Sequence, residues 1–414
     1  MKQFFFLFGL SFLMSSLISC SSEDITEHEI SDIQLNDKSA QLVKADNAFG
    51  LELFKELNKE QEAGKNLMLS PLSISQALAM TYNGAEGNTK TEMEAVLHKS
   101  GFTPQQINES YQNLVNALTS HDSRVDLSIS NAIFYRNGFS IKPTFISTNQ
   151  TYYNAEVKGL NFEAEKATRD QVNGWVRDKT NNKIEEIIQA VNPEDIMYLI
   201  NAIYFNGEWT FQFDKQATSD RTFYTSDGSE IQVSTMQLDK TTLNYSNTDS
   251  FQLLELPYGG KKYSMLIFLP NDAYTINDII QQMNQEQLDE WVDNLHSRNL
   301  KVFLPKFEFK YENSLVDNLQ TLGMTDAFSP SSANFAGISD QSGLSISEVK
   351  HKTYIKVDEK GTEAAAVTAV TVEVTSVGPD PVFNINRPFV FAIREKDTNA
   401  MLFLGKVNNP LLHE

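Results

Sequence analysis

The sequence predicts a mixed α+β fold, with helices concentrated in the first half of the 414-residue chain and strands in the second. Three observations lead there. Apolar residues recur at helical spacing early in the chain, and strand-length apolar runs begin at residue 199. Residues 359–376, EKGTEAAAVTAVTVEVTS, alternate like a strand with no evident sheet to join. Period two marks a half-buried strand, whereas period 3.6 marks one face of a helix.

In chain order, the first helix follows from Phe49, Leu53 and Leu57, spaced four apart on one face. A second opens at Ser70-Pro71, where serine suits the cap and proline the first turn. It is expected to stop near Asn83-Gly84. Strands are predicted at LINAIYF (199–205), YSMLIFLP (263–270) and VFLP (302–305). PFVFAIR and AMLFLGKV flank Asp397-Thr398-Asn399 and form a hairpin. In the alternating segment one face reads Thr362, Ala364, Ala366, Thr368, Val370, Val372 and Val374, without a charge. The other face carries Glu363 and Glu373 near its ends. Ala364-Ala365-Ala366 has poor strand propensity and suits helix equally well. A segment able to leave one conformation and enter a sheet would have this composition.

A formal charge of −20 argues against nucleic acid and anionic membrane surfaces as partners. Catalytic motifs are missing: there is no G-x-S-x-G, H-E-x-x-H, P-loop or G-x-G-x-x-G. The six histidines (His28, His98, His121, His296, His351 and His413) lack metal-ligand spacing. Neither enzymatic turnover nor a cofactor is expected.

Residues 1–19 read as a targeting segment, with Lys2 ahead of an apolar run too short for a comfortable membrane span. Leu17-Ile18-Ser19-Cys20 resembles a bacterial lipobox, which implies a lipid on Cys20, the only cysteine of the chain. Ser21-Ser22-Glu23-Asp24 resembles a lipoprotein surface-export signal. An outer-membrane lipoprotein facing the exterior is therefore expected, with the periplasmic face as the alternative. Residues 20–42, polar and acidic, read as a flexible tether, and 43–414 as the folded domain. Without disulfides, that domain depends on its core.

Glu359-Lys360-Gly361-Thr362-Glu363-Ala364-Ala365-Ala366 resembles the hinge of the serpins, the serine protease inhibitor family. Six other stretches resemble family blocks in family order. They are NLMLSPLSISQALAM (66–80), VNGWVRDKTNNKIEEII (172–188), LINAIYFNGEW (199–209), VFLPKFEFKYENSLVDNLQTLGMTDAF (302–328), VKHKTYIKVDEKGTEAA (349–365) and RPFVFAIREKDTNAMLFLGKVNNP (387–410). The resemblance implies three β-sheets, eight or nine helices, an exposed reactive-centre loop and a monomer. It also implies the mechanism: a protease cuts the loop, and the hinge side inserts as a new strand of the main sheet. Ser70, Ser73, Asn201 and His351 match the family's shutter, and Trp209, Lys306 and Glu359 its breach. An ion pair between Lys306 and Glu359 would be worth little if exposed.

Counting from Glu359 puts the scissile bond at Thr375-Ser376, and counting back from Arg387-Pro388 puts it nearer Val377-Gly378. Between Lys360 and Arg387 there is no lysine, arginine, leucine, methionine, tyrosine or tryptophan. Shallow-pocket serine proteases fit such a loop: elastase-like, proteinase 3-like and subtilisin-like enzymes, with papain-like cysteine proteases a weaker match. The competing reading is a non-inhibitory member acting as a surface binding module.

Overall fold

A computed structural model describes residues 30–60, 64–341, 343–362 and 381–413. The unit formed by Asp32–Glu414 carries all the architecture that follows. Its helices are α1 (Asp37–Glu60), α2 (Pro71–Tyr82), α3 (Gly87–Val96), α4 (Pro104–Thr119), α5 (Pro143–Tyr153), α6 (Glu165–Lys179), α7 (Ile276–Gln282), α8 (Gln285–Asp293) and α9 (Val316–Thr321). Nine α-helices among the described residues agree with the upper expectation.

Six strands form one sheet in the order β10-β11-β12-β4-β2-β3. They are β2 (Val125–Arg136), β3 (Glu156–Leu160), β4 (Met197–Glu208), β10 (Phe307–Ser314), β11 (Lys350–Val357) and β12 (Gly361–Thr362). Nine others form a second sheet: β1 (Leu67–Leu69), β5 (Ser219–Tyr224), β6 (Glu230–Asn247), β7 (Phe251–Tyr258), β8 (Tyr263–Pro270), β9 (His296–Pro305), β13 (Val382–Asn384), β14 (Phe389–Glu395) and β15 (Met401–Val407). By hydrogen bonding the expected three sheets become two, because β6 serves two of them. It pairs β5 over its first part, pairs β9 from Thr235 to Tyr245 with a register shift between Leu238 and Thr241, and pairs β7 near its end.

The predicted elements have clear local causes. The oxygen of Ser70 accepts from Ser73 N, Pro71 occupies the first turn, and α2 gives way at Asn83. YSMLIFLP coincides with β8, buried along its whole length. The predicted hairpin is β14–β15. Helix α1 starts upstream of residue 43, where the domain was expected to begin: Asn36 Oδ1 accepts from Ser39 N (2.9 Å), and Ser39 and Leu42 are buried.

Alternation along β2 and β4 divides the core. Ile133, Ile203 and Phe205 face the main cluster, which α1, α2 and the nine-stranded sheet share. Ala132, Phe134, Ile200 and Ala202 face a second cluster under α6, with Val172, Trp175 and Val176. This pleat also places Asn201 on the α2 side, between residues of the main core.

Candidate functional site

The six-stranded sheet has an unusual centre. No ladder joins β4 to β11 among the described residues. Only β12, two residues long, lies between them. Val357 pairs with Thr362 on one side, while Gly361 and Thr362 pair with Glu208 and Gly207 on the other. The hinge residues Gly361 and Thr362 are therefore already rungs of the sheet. Both are buried. Gly361 is required here, since a Cβ would sit 2.1 Å from Gly207 O and 2.9 Å from the Glu208 Cα. Thr362, first of the charge-free face, turns its hydroxyl to Tyr258 Oη at 2.6 Å.

Above this wedge the three residues expected at the breach come together. Glu359 accepts twice from Lys306 Nζ (2.9 and 3.1 Å) and once from Thr218 Oγ1 (2.9 Å). The pair is half sheltered: the Glu359 side chain is 6% exposed, against 37% for Lys306. Burial alone would raise the Glu359 pKa, but hydrogen bonds from Lys306, from the backbone and from Thr218 outweigh it and hold it below the usual value. Trp209 donates from its backbone to Lys360 O (2.8 Å) and from Nε1 to Asp358 O (3.0 Å). Its ring stacks on Tyr258 at 4.3 Å. One aromatic pair thus holds the turn before β12 and, through Tyr258, the Thr362 side chain.

Lower in the sheet, Ser70, Ser73, Asn201 and His351 form two arms meeting at the start of α2. On the β11 side, Ser70 N donates to His351 Nε2 (3.1 Å). That nitrogen must be the unprotonated one, and burial holds the ring neutral by lowering its pKa from 6.5 to about 3. On the β4 side, Ser73 Oγ donates to Asn201 Oδ1, whose Nδ2 donates to Asn131 Oδ1 (2.7 Å) and Gln76 Oε1 (3.4 Å). Among the described residues no hydrogen bond connects Asn201 directly to His351; at this level the start of α2 bridges the two strands. Asn131, Gln76, Thr218 and Tyr258 escaped the sequence reading, and no local pattern marks them.

The far side of the loop is fixed separately. Strand β13 runs parallel to β9, with Phe383 opposite Val302 and fully buried. Lys301 N donates to Pro381 O (3.1 Å) and Ile385 N to Phe303 O (2.9 Å). The remaining expected hinge residues Glu363, Ala364, Ala365 and Ala366, the bonds Thr375-Ser376 and Val377-Gly378, and Cys20 lie outside the described residues.

The arrangement is a sheet with a two-residue wedge between strands that do not pair with each other, and the chain that builds it has many known relatives. The family profile described as "Serpin (serine protease inhibitor)" matches residues 44–410. A serpin-like protein of Methanosarcina acetivorans is 34% identical over 373 residues, 89% of this chain and 86% of its own length. Serpin B6 of Pongo abelii is 36% identical over 377 residues, 89% of this chain and 99% of its own. The crystal structure of tengpin, a thermophilic serpin in the native state, superposes with a TM-score of 0.82 at 32% identity, covering 92% of this chain and 96% of that one.

Proposed function

Because this chain belongs to the serpin family of serine protease inhibitors, we propose that it traps a protease by inserting its cleaved loop as a new strand between β4 and β11. The observation that carries this reading is β12. Pairing a loose segment with two strands at once costs ordering entropy before any ladder rewards it. Here the first rungs exist before any cut, so each residue beyond Thr362 extends a ladder already begun. The face that would turn inward, Thr362 to Val374 by alternate residues, brings no charge into the sheet.

We further infer the class of target from the loop. Val374-Thr375-Ser376-Val377 offers side chains for shallow pockets, and no lysine or arginine stands near to anchor a trypsin-like enzyme. Elastase-like, proteinase 3-like and subtilisin-like serine proteases fit best, with papain-like cysteine proteases as a second class. A methylene more or less discriminates only about 10–200-fold, so several targets are expected. The lipobox-like Leu17-Ile18-Ser19-Cys20 supports an inhibitor held by lipid on the outer membrane, where proteases from outside arrive.

The test is to incubate the protein with neutrophil elastase and analyse the mixture on denaturing gels with mass spectrometry. A heat-stable covalent band and a released peptide beginning at Ser376 are expected. A peptide beginning at Gly378 would keep the mechanism and move the bond. Cleavage by both elastase and subtilisin without a covalent band would overturn inhibition and leave the binding-module reading.

A further inference from the structure

Away from the loop, three side chains from distant parts of the chain converge near the end of the β14–β15 hairpin. They are His121, just after α4, Glu395 at the end of β14, and Asp397 in the turn. One ligand atom from each lies within 4.8 Å of the others. His121 Nε2 stands 3.3 Å from Asp397 Oδ2 and 3.9 Å from Glu395 Oε1. We propose that these residues bind one divalent transition-metal ion of the zinc class.

The imidazole points to a ligand independently of the carboxylates. The His121 side chain is 7% exposed, and its buried Nε2 has no hydrogen-bond partner among the described residues. Neither carboxylate is in line to accept from it despite their closeness. A buried ring nitrogen seldom goes without a partner, and a metal between the three groups would supply one. Zinc at about 2.0–2.2 Å from tetrahedral ligands holds those ligands roughly 3.3–3.6 Å apart; the His121–Asp397 spacing already matches, and Glu395 must close in by a side-chain adjustment on the order of 1 Å.

The carboxylates are already oriented. Glu395 Oε2 accepts from Thr398 N (2.8 Å) and Thr398 Oγ1 (2.6 Å), and its Oε1 from Asp397 N (2.9 Å). Asp397 Oδ2 accepts from Ile33 N (3.0 Å). Such outer hydrogen bonds fix the ligands of metal sites. Lys262 Nζ competes for Asp397 Oδ2 at 3.2 Å, but it also pairs with Asp32 and keeps that partner when an ion takes the oxygen. One imidazole with two carboxylates favours zinc over magnesium or calcium, which prefer all-oxygen sites. The ion would tie the hairpin turn to the loop after α4 and, through Ile33 and Asp32, to the segment preceding α1.

Calorimetry on the protein stripped with a chelator and titrated with zinc chloride tests this, with magnesium chloride as control. One equivalent of zinc and no magnesium is expected. His121→Gln should abolish binding, and Thr398→Val should weaken it by about 10–100-fold. Cobalt chloride provides a second reading: Asp397→Asn should lose the visible bands of the tetrahedral ion, with circular dichroism verifying that each variant is folded. No zinc uptake by the unaltered protein, or unchanged affinity in folded His121→Gln, would overturn the proposal.

Discussion

The hydroxyls of Tyr258 and Thr362 meet at 2.6 Å in the protein interior, joining the end of β7 to the first inserted side chain of the hinge. Trp209 stacks on the same tyrosine and holds the backbone of Asp358 and Lys360. The position of β12 in the sheet is thus held through the ring face and the hydroxyl of one tyrosine.

Thr362→Arg would place a cation where no solvent reaches and remove the partner of Tyr258. The loop should remain cleavable while the covalent band disappears, because a buried unpaired charge costs far more than the rung returns. Denaturing gels with elastase check this, and an undiminished covalent band would refute insertion at this position. Thr362→Val, which strands the tyrosine hydroxyl, should cost about 1–3 kcal/mol in urea unfolding.

Gly361→Ala meets backbone rather than a yielding side chain, since its Cβ would lie 2.1 Å from Gly207 O. Steric conflicts of this kind typically cost about 1–3 kcal/mol. Expelling β12 from the sheet relieves this one. Faster hydrogen exchange at the Gly361 and Thr362 amides is the expected signature, and unchanged protection would show that the sheet adapts around the methyl group.

His351 gives the stability a defined pH dependence. The unfolded chain takes up a proton near 6.5, but the folded one only near 3. Between these values the unfolded state binds more protons, so stability is full above 6.5 and falls as pH drops through the window. Urea titrations at about pH 7 and about pH 5 should show the loss, and His351→Gln should reduce it.

Glu359 acts in the same direction at lower pH. Its folded pKa is depressed, so its contribution is present above the unfolded value of 4.5 and lost as pH falls through the lowered one. Glu359→Gln should cost about 1 kcal/mol at neutral pH, a modest figure because Lys306 remains partly solvated. It should also flatten the acid limb of the unfolding profile. An acid limb like that of the unaltered protein would mean that another carboxylate dominates it.

Elements with a local cause were legible in the sequence. Ser70-Pro71 announced α2, an unbroken apolar run announced β8, and Asp397-Thr398-Asn399 announced the hairpin turn. The start of α1 was hidden because its first turns are largely polar, and that start depends on burial of Ser39 and Leu42. Strand β12 has too few residues to carry a period. The four shutter residues and three breach residues were reached through resemblance, but Asn131, Gln76, Thr218 and Tyr258 are partners only through the folded chain. His121 illustrates the same limit: its carboxylates lie more than 270 positions away.

Strand β13 pairs with β9, and β14 and β15 are interior strands of the nine-stranded sheet, each paired on both sides. The three strands that follow the loop are thus woven into the body of the molecule rather than hung from the loop. A chain cut at Thr375-Ser376 should therefore run as two bands when denatured and as one particle in native size-exclusion chromatography. A chain cut without trapping a protease would be indistinguishable by hydrodynamic size from one never cut, and any scavenger that sorts one from the other would have to read the shape of the sheet instead.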